Sequence, residues 1–314
     1  MPDERESSEK SMSLAERLLN RRGDKGAALL APLAALPQAT SLQPKTAVEA
    51  APTPPPAAMA EPDTASSPRH AIEIDFNTLR EAGFITPNSP PSPQIESFRI
   101  IKRHLLKLAF QKGPLGVSTN NHVLMVTSSV PGEGKTFTAL NLALSFSAER
   151  DLFVLLIDAD SHRRSLGKLL GMDQEIGLVD LLAEHKVKAH EIIHRTNLPN
   201  LSFMPAGRPH PHGPELLSSK QMIALMRDIG ARYADRVIII DTSPVLATTE
   251  GLVLSSYAGQ ALVVVEKDVT TKKDIQRTLK MLHECPNVSC VLNKVSYDYN
   301  NPEYIDFKHL EYGG

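Results

Sequence analysis

Ser129, Val130, Pro131, Gly132, Glu133, Gly134, Lys135 and Thr136 follow one another directly after an apolar run at 123–127 and just before a helical pattern at 137–147. This S-x-x-x-x-G-K-T spacing is a Walker A loop with Ser where Gly is usual. Each residue type has a physical task. Gly132 and Gly134 let the backbone turn so that successive amide N–H groups point at one anion. A helix beginning near Lys135 adds unsatisfied N–H groups and the positive end of its dipole. The Lys135 ammonium can reach β- and γ-phosphates, and the Thr136 hydroxyl can coordinate magnesium. The spacing therefore predicts a site for ATP with Mg2+, lined by Ser129, Gly132, Glu133, Gly134, Lys135, Thr136 and Phe137.

Two further apolar runs end in acids. Val154-Leu155-Leu156-Ile157 leads into Asp158-Ala159-Asp160, and Val237-Ile238-Ile239-Ile240 leads into Asp241. Ligands of parallel sheets bind at the carboxyl ends of strands, so the three acids are expected to converge on the phosphate loop. Unpaired carboxylates there are costly, and magnesium compensates them. For Asp160 a helix N-cap is the alternative reading.

Positioning these groups needs a scaffold, and the apolar pattern supplies one. Strand-length runs occur at 123–127, 153–157, 201–204, 237–240, 261–265 and 289–292, with helical stretches at 137–147, 178–183, 219–233 and 271–282. Continuous β-branched runs imply strands buried on both faces, and alternation with helices implies a parallel sheet between helical layers. The fold expected is a three-layer α/β P-loop domain, its pattern running over 94–296. A helix at 94–110 precedes it, with Ile95, Phe98, Ile101, Leu105, Leu108 and Ala109 on one stripe.

Composition narrows the function classes. Net charge is −2, charged residues make up 22% and Trp is absent, so neither a basic field nor a base-stacking surface points to nucleic acid. Two cysteines, Cys285 and Cys290, make neither a disulfide framework nor a four-ligand zinc site and suit a reducing compartment. His210 and His212 sit in a Pro-rich loop and are weak metal candidates. No apolar run approaches the roughly 20 residues that span a bilayer. Residues 1–30 hold a short helical pattern at 13–22, read as a frayed tail or as a helix that docks on a partner. Nine prolines and eleven alanines between Ala31 and Pro68 predict a disordered tether at 31–71. A P-loop ATP-binding domain is then expected at 72–296 and a flexible tail at 297–314. Four of the six tyrosines, Tyr297, Tyr299, Tyr304 and Tyr312, lie in that tail without apolar periodicity.

Taken together, these phrases resemble the bacterial tyrosine kinases (BY-kinases), relatives of the Min- and Par-type partition ATPases. The resemblance rests on Val130 to Thr136, Asp158-Ala159-Asp160, Gly177 to Leu182, Pro214 to Ser219, Asp241 to Leu246 and Val291 to Val295. Partition ATPases usually place a signature Lys early in the phosphate loop, where this chain has Ser128-Ser129-Val130-Pro131. The resemblance implies ATP-dependent autophosphorylation in trans, with Tyr297, Tyr299, Tyr304 and Tyr312 as acceptors. It implies that Lys135 binds phosphates, that Thr136, Asp158 and Asp241 serve the metal, that Asp158 is the base for the tyrosine hydroxyl, and that Asp160 positions metal or base. Asn293 resembles an adenine-contacting Asn, or simply terminates a strand.

The resemblance also implies partners. Glu96, Arg99 and Lys102 match a family E-x-x-R-x-x-R helix used between subunits of ring-like homo-oligomers, although an ordinary solvated face fits the same charges. Lys102 replaces an Arg there and loses bidentate geometry, with Arg103 adjacent. His162, Ser243 and Glu250 stand where the family often has Arg, Pro and Asp, with Arg163 and Arg164 beside the first. The tethered chain looks most like cytoplasmic autokinases of exopolysaccharide and exosortase systems, recruited to the inner membrane by a polysaccharide co-polymerase or chain-length regulator that activates them. The competing function is a nucleotide-switch ATPase that positions partners without phosphorylating protein.

Overall fold

A computed structural model of the chain describes residues 71–110, 120–184, 187–233 and 235–295. The helical pattern at 13–22, the tether apart from Ala71, and the tail with Tyr297, Tyr299, Tyr304 and Tyr312 lie outside the described residues. Seven strands among the described residues form one sheet: β1 (Val123–Ser128), β2 (Phe153–Ala159), β3 (His194–Arg195), β4 (Leu201–Met204), β5 (Arg236–Thr242), β6 (Gln260–Glu266) and β7 (Asn287–Asn293). Their spatial order is β3-β4-β2-β5-β1-β6-β7, parallel throughout except for the β3–β4 pair.

The central strands are apolar along their length because both faces are covered. Leu124, Val126, Val154, Leu156, Ile239, Leu262 and Val264 enter one core. Their neighbours Val123, Met125, Leu155, Ile157, Ile238, Ile240, Ala261 and Val263 enter the other. The first core is closed by α1 (Phe76–Glu81), α2 (Pro93–Ala109) and α3 (Lys135–Ser147), with Leu166 of a later short helix also entering it. Further along the chain come α4 (Ser165–Leu169), α5 (Leu178–Ala183), α6 (Ala189–Ile192), α7 (Gly213–Leu217), α8 (Lys220–Arg232), α9 (Glu250–Ser255) and α10 (Lys272–Met281). Residues of α5 to α9 build much of the second core, and Ile275 and Met281 of α10 pack against it. The expected three-layer α/β arrangement is present.

The chain joins the sheet before the expected helix at 94–110. Ile72 pairs in parallel with Thr196, its amide donating to the Arg195 carbonyl at 2.8 Å. Helix α2 starts one residue earlier than expected, with Pro93 in the first turn and the Ser92 hydroxyl capping the Ile95 amide at 3.3 Å.

The charge stripe on α2 does not form one solvated side. Glu96 and Arg99 are exposed and paired with each other at 2.5 Å, whereas Lys102 is buried. Steps of three residues lag the helical period by about 60° each, so the third charge turns inward toward α3. There its ammonium donates to the Ser145 carbonyl at 3.1 Å and pairs with Glu149 at 2.5 Å. A cation at a helix C-terminus meets free carbonyls and the negative dipole end. Lys102 therefore belongs neither to a solvated face nor to a subunit-contact row with Glu96 and Arg99.

Candidate functional site

All the strands that matter here are parallel, so their carboxyl ends open on one side. The phosphate loop leaves β1, the Asp158 and Asp160 segment leaves β2, and Asp241 sits near the end of β5. β5 lies between β1 and β2, which pairs Asp241 with Asp158 on one side and with Val126 on the other.

The loop has the shape its glycines predict. Gly132 and Gly134 carry φ of 97° and 94°, the left-handed region where a side chain is strained. Helix α3 then begins at Lys135 with no side-chain cap. Its first intrahelical bond runs from the Thr138 amide to the Gly134 carbonyl at 2.9 Å. The amides of Lys135, Thr136 and Phe137 precede that bond and have no carbonyl of the helix to donate to. Donors left free at the amino end of a helix are what an anion requires.

Lys135 reaches the acids rather than solvent. Its ammonium lies 2.7 Å from Asp160 Oδ2, 3.9 Å from Asp241 Oδ1 and 3.4 Å from the Thr136 hydroxyl. Burial opposes the charge on Lys135, but Asp241 and Asp160 outweigh it and its pKa lies above the ordinary lysine value. Burial also opposes charge on Asp160; Lys135 outweighs it and holds that carboxyl below the ordinary range. Asp158 is fully buried and accepts the Asp160 amide at 3.1 Å and the Gly167 amide at 3.2 Å. Burial first, and the charge of Asp241 second, push its pKa up. Asp241 is raised by burial too, with Lys135 and then Thr136 pulling the other way. Neither oxygen of Asp241 accepts a hydrogen bond of normal geometry.

An acid buried without hydrogen bonds needs a compensating cation. Lys135 supplies part of one, shared with Asp160. Among the described residues no three His, Cys, Asp or Glu side chains form an all-protein metal cage. Magnesium seldom uses one; it binds through one or two carboxylates, a hydroxyl and substrate phosphates. The oxygen donors of Thr136, Asp158 and Asp241 fit that ion, Asp241 best because neither of its oxygens accepts a hydrogen bond of normal geometry.

Several expected ligands turn out to hold the loop. The Glu133 carboxylate is fully buried; it accepts the Val130 amide at 2.8 Å and the Thr270 hydroxyl. Its side chain therefore shapes the turn, and its main chain is the part that faces a nucleotide. The Ser129 hydroxyl accepts from Thr278 of α10 at 2.9 Å, so the residue that replaces the usual Gly is tied to the second core. The Phe137 ring packs on Phe84 with centroids 4.9 Å apart and on Phe98 at 6.4 Å, away from the loop. What remains of Phe137 for a ligand is its free amide. Asn293 ends β7 and donates from Nδ2 to the Glu133 carbonyl at 2.8 Å, so its side chain lies on the loop.

The spacing did not bring out a hydroxyl and a carboxylate that border the acids. Ser243 Oγ lies 3.2 Å from Asp160 Oδ1 and 2.7 Å from Glu250 Oε2, and Glu250 Oε1 accepts the Ser161 hydroxyl at 2.9 Å. The only signal in the sequence was that Ser243 and Glu250 both depart from the family pattern. In space the two departures touch.

Comparison with known proteins accords with this geometry. A family model described as an AAA domain matches residues 121–287, more than half of the chain. The putative tyrosine-protein kinase EpsB of Ralstonia nicotianae is 33% identical over 262 residues, covering 79% of this chain and 33% of that protein. Tyrosine-protein kinase YwqD of Bacillus subtilis is 29% identical over 245 residues, covering 77% of this chain and 95% of that protein. The chain thus spans about a third of the length of the EpsB relatives it matches. Among solved structures, the kinase domain of the Escherichia coli tyrosine kinase ETK aligns with a TM-score of 0.59 at 27% identity, covering 68% of this chain and 80% of that one. The BceF tyrosine kinase domain aligns with a TM-score of 0.55 at 27% identity, covering 68% and 86%. Phosphate loop, parallel sheet and relatives agree, and the chain belongs to the bacterial tyrosine kinase (BY-kinase) family, with an AAA domain at its centre.

Proposed function

We propose that the chain is an ATP-dependent protein-tyrosine autokinase. The observation that carries this reading is the buried Asp241, without a hydrogen bond of normal geometry and only partly compensated by Lys135 at the phosphate loop. Relatives whose names are tyrosine-protein kinases give the reaction class. On this reading Lys135 leaves Asp160 to bind phosphate oxygens, and the amides of the loop and of Lys135, Thr136 and Phe137 hold the rest. Asn293, next to the loop, borders the adenine. Thr136, Asp241 and Asp158 would hold magnesium, which would supply positive charge against the phosphates. Asp158, raised toward neutrality, accepts the proton of a tyrosine hydroxyl. The tyrosine oxygen bonds to the γ-phosphorus as its bond to the bridging oxygen breaks, and ADP leaves.

The acceptors proposed are Tyr297, Tyr299, Tyr304 and Tyr312 of a second copy, which makes the active form a homo-oligomer. We place the chain in the cytoplasm, at the inner membrane through a polysaccharide co-polymerase that activates it, and assign it a role in regulating exopolysaccharide export. No helix among the described residues is long and apolar enough to cross a membrane. The domain limits proposed are 72–296 for the kinase unit, with 1–30, 31–71 and 297–314 as helix, tether and tail.

Incubation with ATP and magnesium, followed by phosphotyrosine mapping, tests the reading. Label is expected on the four tail tyrosines and should be lost when all four are changed to Phe. Phosphate release without phosphotyrosine would instead make the chain a nucleotide-switch ATPase, and label on Tyr233 or Tyr257 would overturn the acceptor assignment.

A further inference from the structure

Beside Lys135 lies a polar cluster that phosphate and metal binding leave unused. Asp160, Ser243 and Glu250 are each at most 1% exposed. Glu250 opens α9 and reaches two loops at once. Its Oε1 accepts the Ser161 hydroxyl at 2.9 Å, with the His162 ring nitrogen 3.6 Å away, and its Oε2 lies 2.7 Å from Ser243 Oγ. Ser243 is fixed from behind, where its carbonyl accepts the Thr127 hydroxyl of β1 at 3.0 Å. Glu250 therefore fastens the segment after β2, which carries Asp160, to the segment after β5, which follows Asp241.

The hydrogen count makes this arrangement more than a fastening. A serine hydroxyl has one proton, yet Ser243 faces two carboxylates, Glu250 at 2.7 Å and Asp160 at 3.2 Å. The shorter contact takes the proton, and Asp160 has compensation of its own, from Lys135 at 2.7 Å and the Arg163 amide at 3.1 Å. Once Lys135 turns to a phosphate group, Asp160 loses its cation while still buried. An uncompensated buried carboxylate attracts the nearest donor, and the Ser243 hydroxyl is already in place and needs only to rotate.

We propose that Ser243 and Glu250 are positioning residues, in which the Ser243 hydroxyl donates its hydrogen bond to Glu250 while Lys135 is paired with Asp160 and rotates to donate it to Asp160 when Lys135 engages nucleotide. The pair keeps Asp160 in place during phosphoryl transfer, when the lysine no longer does. This rests on the kinase reading above.

The test compares Ser243→Ala, Glu250→Ala, Glu250→Gln and the double Ala variant of the full chain, each with circular dichroism to establish folding. Autophosphorylation is followed across ATP concentrations. Ser243→Ala and Glu250→Ala should each lower kcat about 10-fold with KM for ATP changed less than about threefold, since slight misplacement costs rate more than affinity. The double variant should be no slower than the worse single, because both remove the same contact. Glu250→Gln should stay within about threefold of the parent, its amide donating to Ser243 and freeing the hydroxyl proton for Asp160. Additive losses, a change in KM alone, an unchanged kcat in Ser243→Ala, or Glu250→Gln as slow as Glu250→Ala would overturn the proposal. If Glu250→Ala does not fold, Ser243→Ala against Glu250→Gln decides. Should the parent chain release phosphate without phosphotyrosine, the kinase reading fails by itself, and the same ratios are read on phosphate release.

Discussion

At the scale of single residues, Asp241 and Lys135 show a site arranged at the expense of stability. Asp241 is buried with no hydrogen bond of normal geometry to either oxygen and shares the Lys135 ammonium with Asp160. Replacing it by Asn removes a buried charge that Lys135 compensates only in part, while Lys135 keeps Asp160 as its direct partner. Asp241→Asn should therefore raise the stability of the nucleotide-free protein, by about 1–3 kcal/mol, while removing magnesium-dependent nucleotide binding. Thermal melts with and without Mg·ATP check both halves; a lower midpoint in the free variant would contradict the account. Lys135→Met should act in the opposite sense. It strands two buried acids, so the free protein melts lower as phosphotyrosine disappears. The spacing made these residues legible because each chemical role is written within a few positions of a strand end. The Ser243 and Glu250 contacts were not legible in the same way. Ser243 meets Asp160 across 83 positions, and which oxygen it faces depends on side-chain rotamers that no local pattern encodes.

Among the elements, legibility followed apolar patterning. β1, β2, β4, β5, β6 and β7 were expected within two residues of their observed ends, the central ones because runs of Val, Ile and Leu allow little else between two cores. Helices α1, α4, α6, α7 and α9, of four to six residues, were missed, since a turn or so shows little helical period, whereas the equally short α5 was expected at its observed bounds from its apolar run Leu178-Val179 and Leu181-Leu182. Lys102 was misplaced for a related reason: spacing gave its angle on α2 but not what α3 would offer it. The phosphate loop joins two well-formed elements, and a second side chain covers it from the end of β7. A Cβ added to Gly134 would stand 2.1 Å from Asn293 Nδ2, at a φ of 94°. Gly134→Ala should weaken ATP binding by more than about 10-fold with little loss of overall helix content. Adding Asn293→Ala relieves the contact but leaves the strained backbone, so isothermal titration should show only partial recovery. Full recovery would assign the defect to the contact alone.

For the molecule as a whole, the acids at the strand ends predict how stability varies with pH. Asp158 is pushed up to about 7 and Asp241 to about 6, both by burial, with the charge of Asp241 adding to the shift of Asp158. The two titrate as a pair, so the window belongs to both together. An acid whose folded pKa lies above its unfolded value holds more protons folded than unfolded, and stability falls as pH rises between the two values. The loss thus begins above the ordinary aspartate range near 4 and is complete by about pH 8. Asp160 does not interfere, because its pKa is lowered and its contribution disappears only in more acidic solution. The nucleotide-free protein should melt several degrees higher at pH 5 than at pH 8, a difference on the order of a few kcal/mol. Other groups titrate in that range, and Asp241→Asn separates them: it should flatten the dependence toward that of the remaining groups. Saturating Mg·ATP should flatten it as well, since the same charges are then compensated by ligand rather than by protons. If parent and variant follow the same slope from pH 5 to pH 8, the buried acids are already neutral or already compensated throughout, and the strained site inferred from Asp241 does not exist.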